Sequence, residues 1–76
     1  MTVTELVQQA HANTSYRELS RRAAKQGHAI SHTLLASWGA GEILRAPQRS
    51  QAEAIAAAVG VHYHDVVEAI YEQFYR

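Results

Sequence analysis

Apolar residues in this chain return at intervals of three and four, in segments cut by single glycines and one proline, and its β-branched residues form no alternating run. That interval is the period of a helix, so the expected class is all-α, with each helix burying one stripe against its neighbours. Punctuation then divides the chain. A first helix opens at Thr2 or Thr4, either able to cap, carries Val3, Leu6, Val7 and Ala10 on one side, and ends by Asn13. Ser15 is the expected N-cap of a second helix over about 15–26, with Glu18 three residues on completing a capping box and Gly27 ending it. Ser31 caps a third over about 31–39, which "GAG" at Gly39 to Gly41 terminates. Pro47 marks the start of a fourth, with Ala52, Ile55, Ala56 and Val59 on its apolar side before Gly60. A fifth is expected over about 62–76, with Val66, Val67, Ile70 and Phe74 on one face.

The expected core comprises Leu6, Leu19, Leu35, Trp38, Ile55, Val59, Val61 and Ile70, all at helical spacing. At 76 residues the chain makes one small domain, 1–76, whose core is marginal unless its helices pack efficiently or a partner adds buried surface. No cysteine is present, so no disulfide or thiolate site is available, and a cytoplasmic location is expected. No apolar run approaches the ~18 residues of a membrane span, and no signal-peptide pattern opens the chain, so no membrane association is expected.

Formal net charge is zero, but its distribution is uneven. Between Arg17 and Arg49 stand Arg17, Arg21, Arg22, Lys25, Arg45 and Arg49 against only Glu18 and Glu42, a local balance of +4, while residues 1–16 carry −1 and residues 50–76 carry −3. Such segregation lets one surface attract a polyanion while the rest stays neutral or acidic.

The second and third helices differ sharply in chemistry. Projected at about 100° per residue with His32 at zero, Leu34, Leu35 and Trp38 fall between about 200° and 300°, and His32, Ala36, Ala40, Thr33 and Ser37 share the opposite arc. An uncharged face of short side chains suits close packing against a surface, and the DNA major groove admits a helix whose side chains hydrogen-bond base edges or touch thymine methyl groups. On the second helix Tyr16, Leu19, Ser20 and Ala23 form an inward arc, and Arg17, Arg21 and Lys25 an outward one that can hold phosphates.

These segments resemble the Cro/CI-type, or XRE-like, helix-turn-helix family of phage and bacterial repressors. "SYRELSRRA" is similar to its first motif helix, "ISHTLLASWGAG" to its recognition helix, and "RSQAEAIAAAVGV" to the helix that follows; the resemblance spans roughly Thr4 to Ile70. It implies a five-helix, lambda repressor-like fold and a phage Cro-like repressor that binds a palindromic operator on double-stranded DNA, without a cofactor. It further implies that Ser31 caps the recognition helix, that His32, Thr33 and Ser37 face bases with Ala36 beside them, and that Leu35 and Trp38 are buried. Tyr16 and Arg21 match positions that touch phosphate, as does the loop with Arg45 and Arg49. Two departures stand out: Ser20 replaces the family's usual alanine, and the turn through "AAKQGHAI" is about three residues longer than usual.

Other readings are weaker. Trp38 could stack on a nucleotide, but its spacing from Leu34 and Leu35 assigns it to the core. His62, His64 and Asp65 are a sparse set with no ligands offered by another helix, so capping or surface placement is expected and no metal. No serine or histidine stands where it could form a nucleophile with its base, so no enzyme is expected. The apolar surplus of "HDVVEAIYEQFYR", with Val67, Ile70, Tyr71, Phe74 and Tyr75, exceeds what docking one helix requires and points to a homodimer interface, at least on DNA. The alternative is a small helical interaction module, such as an antitoxin or regulatory subunit, whose main partner is a protein.

Overall fold

The computed structural model describes residues 1–76. It contains five helices and no strand: α1 (Val3–His11), α2 (Tyr16–Lys25), α3 (His32–Gly39), α4 (Arg49–Val59) and α5 (Tyr63–Ile70), the last continued by a π-helical turn, Tyr71–Tyr75. The all-α expectation therefore holds, while the last helix keeps regular α geometry only to Ile70.

Helix starts are set by side chains. The Thr2 hydroxyl accepts from the Glu5 N–H at 3.1 Å and the Thr2 N–H donates to the Glu5 carboxylate at 2.8 Å, a complete capping box. Ser15 and Ser31 each accept one backbone N–H, from Glu18 and Leu34, both at 3.1 Å. The box expected at Ser15 is only half made, because the Glu18 carboxylate turns to Arg21 at 2.9 Å and Arg22 at 4.0 Å. Pro47 does not open α4 but lies just before its N-cap, Gln48, which makes no side-chain cap.

Helices α2, α3 and α4 are ended by glycine. After α2, the N–H of His28 reaches the Ala23 carbonyl and that of Gly27 the Ala24 carbonyl; after α3, Glu42 reaches Ser37 and Gly41 reaches Trp38. These paired bonds are the signature of a helix closed by a left-handed residue, and Gly27 and Gly41 have φ of 83° and 74°.

Helix α4 is central, packed against α1, α2 and α5. Its buried residues are Ala52, Ala54, Ile55, Ala56, Ala57 and Ala58, and the short alanine side chains let three neighbours approach at once. Leu19, Leu35, Trp38 and Ile55 are fully buried as expected, joined by Val3, Val7 and Val66. Leu6, Val59, Val61 and Ile70 are only half-buried and close the edges of this core.

The end of the chain crosses the start of α1. Gln73 and Thr4 exchange two hydrogen bonds of 3.2 Å, the Thr4 N–H to the Gln73 carbonyl oxygen and the Gln73 amide to the Thr4 hydroxyl. One otherwise unpaired N–H of the first turn of α1 is thus satisfied from 69 residues away. The N-terminal ammonium also pairs with Glu72, whose hydrogen bond raises the ammonium pKa above its ordinary value.

Candidate nucleic-acid interface

Burial of Leu35 and Trp38 aims α3, because a helix that turns these two inward must present the opposite arc outward. On that arc His32 and Thr33 are exposed, and Ala36 and Ser37 are half-exposed. No Asp, Glu, Lys or Arg lies on α3. The Ser37 hydroxyl donates back to the Thr33 carbonyl at 3.2 Å, which commits its proton and leaves its lone pairs to accept. His32, in the first turn, keeps its ring in solvent.

The basic residues divide into paired and unpaired. Arg17, Lys25 and Arg45 are exposed and have no carboxylate within ion-pair distance, whereas Arg21 and Arg22 share Glu18 and Arg49 bonds Glu53 at 3.0 Å. Arg45 lines a cleft with Leu34, Pro47 and Gln48, which brings it beside α3. Arg49 lies instead over the Tyr63 ring, 5.6 Å from its centroid, in a separate cleft of about 400 Å³ with Gln26, His28 and His62. The two arginines that the sequence places in one loop therefore serve two different clefts. Tyr16 is half-buried: its ring stacks on His11, with centroids 3.7 Å apart and planes 7° from parallel, and its hydroxyl lies against Gly39. Any side chain at Gly39 would collide with that hydroxyl, so the close packing of α3 on Tyr16 requires a glycine there, while Gly41 ends the helix.

In the last segment, Val67, Tyr71 and Tyr75 are exposed at 41%, 65% and 64%, and Ile70 and Phe74 pack against the core. The five residues expected on one interface thus split between outward and inward roles. Val67, Glu68, Tyr71, Glu72 and Arg76 line a shallow groove there. No three His, Asp or Glu side chains converge on a point anywhere in the chain. His64 instead lies 2.7 Å from Glu68, one helical turn on. No helix is long and apolar enough to cross a membrane.

Two side chains that support α3 escaped sequence reasoning. Ser20 donates to the Ile30 carbonyl at 2.5 Å, and Gln8 donates to the Gly39 carbonyl at 2.8 Å. The sequence places the Ser20 hydroxyl on the inward arc of α2 without showing its partner; Gln8 carried no such signal. Comparison of the chain with protein-family models, curated proteins and solved structures returned no match in any of the three.

Proposed function

We propose that the chain is a sequence-specific double-stranded DNA-binding regulator of Cro/CI type, a phage Cro-like repressor that sets α3 into the major groove of an operator. The observation that carries this reading is the outward face of α3. Its exposed and half-exposed residues, His32, Thr33, Ala36 and Ser37, are short or flat and include no Asp, Glu, Lys or Arg, and Arg17, Lys25 and Arg45 nearby in sequence are free of carboxylate partners. Uncharged donors, acceptors and a methyl group discriminate base edges, and flanking cations neutralise phosphates. Arg21 joins them by exchanging Glu18 for a phosphate. The chain acts as a homodimer on DNA through Val67, Tyr71 and Tyr75, since one short helix reads few base pairs and a two-fold pair reads two half-sites.

Selection of bound duplexes from a random library, with gel shifts at two salt concentrations, tests both parts. A palindrome with half-sites about one helical turn apart is expected. Enrichment of no sequence would overturn the reading. The second reading, a module whose main partner is a protein, is favoured by one observation, the exposed apolar strip of Val67, Tyr71 and Tyr75. Salt-independent absence of DNA binding would leave that reading in its place.

A further inference from the structure

Helix α3 is held at its two ends by side chains from two different helices. At its start, the Ser20 hydroxyl of α2 donates to the carbonyl of Ile30, the residue before the N-cap Ser31, at 2.5 Å. At its end, the Gln8 amide of α1 donates to the carbonyl of Gly39 at 2.8 Å. Both bonds are partly shielded from water, and both tie down a backbone carbonyl, which moves only if the chain at that end of α3 moves with it.

The hydroxyl at position 20 and the connection from α2 to α3 meet in the first of these bonds. Six residues, 26–31, join α2 to α3. After Gly27 and His28 close α2, residues 29–31 must cross to the start of α3 without regular structure. Ile30 anchors that crossing by burying its side chain, at 8% exposure, and Ser20 anchors it by binding the same residue's carbonyl. An alanine at position 20 would leave this carbonyl without its side-chain partner.

We infer that Ser20 and Gln8 are positioning residues that set the depth and tilt of α3, and with them the base preference of the proposed interface. The inference rests on the DNA-binding reading above. The two anchored carbonyls are nine residues apart, about 13 Å along a helix, so a slip of about 1 Å at one anchor tilts α3 by about 4°. That tilt swings one end of the outward face while the other stays seated. Ser20 governs the end that carries His32 and Thr33, and Gln8 governs the end beyond Ser37.

The test compares Ser20→Ala, Gln8→Met and Ser20→Thr with the parent by selection from a random duplex library, by affinity for the selected site, and by affinity for an unrelated duplex. Gln8→Met keeps the length of the side chain and removes its donor; Ser20→Thr keeps the hydroxyl. Ser20→Ala and Gln8→Met are expected to lose on the order of tenfold for the selected site, to stay within about twofold on the unrelated duplex, and to change base preference at opposite ends of the half-site. Ser20→Thr is expected to restore the parental preference. Parallel losses on both duplexes with an unchanged preference would overturn the inference. A readout without DNA separates it from the DNA-binding reading: amide exchange and chemical shifts across Thr33–Trp38 should change in Ser20→Ala and return in Ser20→Thr. Unchanged amides would overturn the clamp even if the parent reads DNA, and a parent that selects no sequence would overturn the reading while the amides still report the clamp.

Discussion

The rings of Trp38 and Phe74 meet edge to face, with centroids 5.9 Å apart and planes at 85°. This contact joins the buried side of α3 to the π-helical turn at the end of the chain, so the last segment braces the helix that carries the candidate reading face. The Trp38 indole N–H has no hydrogen-bond partner, so apolar and aromatic packing holds the ring. Phe74→Ala should therefore cost about 2 kcal/mol or more in urea unfolding and shift the emission of the single tryptophan to the red. An unchanged unfolding midpoint would show that the last turn does not brace α3.

Leu35 is fully buried, and α3 carries no Lys or Arg that could pair with a carboxylate there. Leu35→Asp should abolish cooperative unfolding, because an uncompensated buried charge exceeds the stability of a domain this small. Circular dichroism with thermal melting checks it, and a folded, cooperative variant would refute the inward assignment of this face.

Charge and base contacts should fail differently. Arg21→Ala should weaken binding to all duplexes alike and reduce the magnitude of the salt slope by about one unit. Glu18→Gln should act in the opposite direction on non-specific affinity, since Glu18 holds Arg21 at 2.9 Å and competes with phosphate for it. Alanine at His32 or Thr33 should cost on the order of 1–3 kcal/mol on the selected site and leave non-specific binding nearly intact. Affinities measured at several salt concentrations distinguish the two classes; a steeper slope in Arg21→Ala would exclude its phosphate role.

Tyr71 and Tyr75 point outward beside each other, ring centroids 6.0 Å apart, whereas Phe74 points inward. The variant that breaks self-association without unfolding the protein is therefore Tyr71→Glu, alone or with Tyr75→Glu, and a glutamate at Phe74 would confound the two effects. Sedimentation with the selected duplex should show two protomers bound for the parent and one for Tyr71→Glu, with a parental melting temperature. A parental mass would remove this strip from the dimer.

Glu5 sets an acid dependence. The Thr2 backbone N–H, and after it the Thr2 side chain, hold the Glu5 carboxyl below the ordinary glutamate value. A carboxyl depressed in the folded state contributes stability that is present above the ordinary value and lost as pH falls through the lowered one. Glu5→Gln keeps an acceptor for the Thr2 N–H and removes the titration, so its unfolding midpoint should fall less than the parent's across that acid window. Identical pH profiles would show that the box contributes nothing through its charge.

The sequence by itself determined the first three helices, because what starts them and turns one side inward is local: caps at Thr2, Ser15 and Ser31, glycines at 27 and 41, and a three-to-four spacing that buries Leu19, Leu35 and Trp38; α4 and α5 have no side-chain cap, and the last helix keeps α geometry only to Ile70. It also determined which arc of α3 faces out, since burying Leu35 and Trp38 leaves no other choice. Tertiary structure decided what depends on distant partners. Whether Phe74 serves the core or the surface was settled by the position of Trp38, which periodicity along the last helix cannot report. Arg45 and Arg49, four residues apart, went to different clefts because α3 borders one and Tyr63 the other. Gln73 reached Thr4, and Ser20 and Gln8 reached the ends of α3, through hydrogen bonds whose partners lie 10 to 69 residues away. Spacing in a sequence encodes a direction around one helix axis, and only the packing of several axes decides which group meets which.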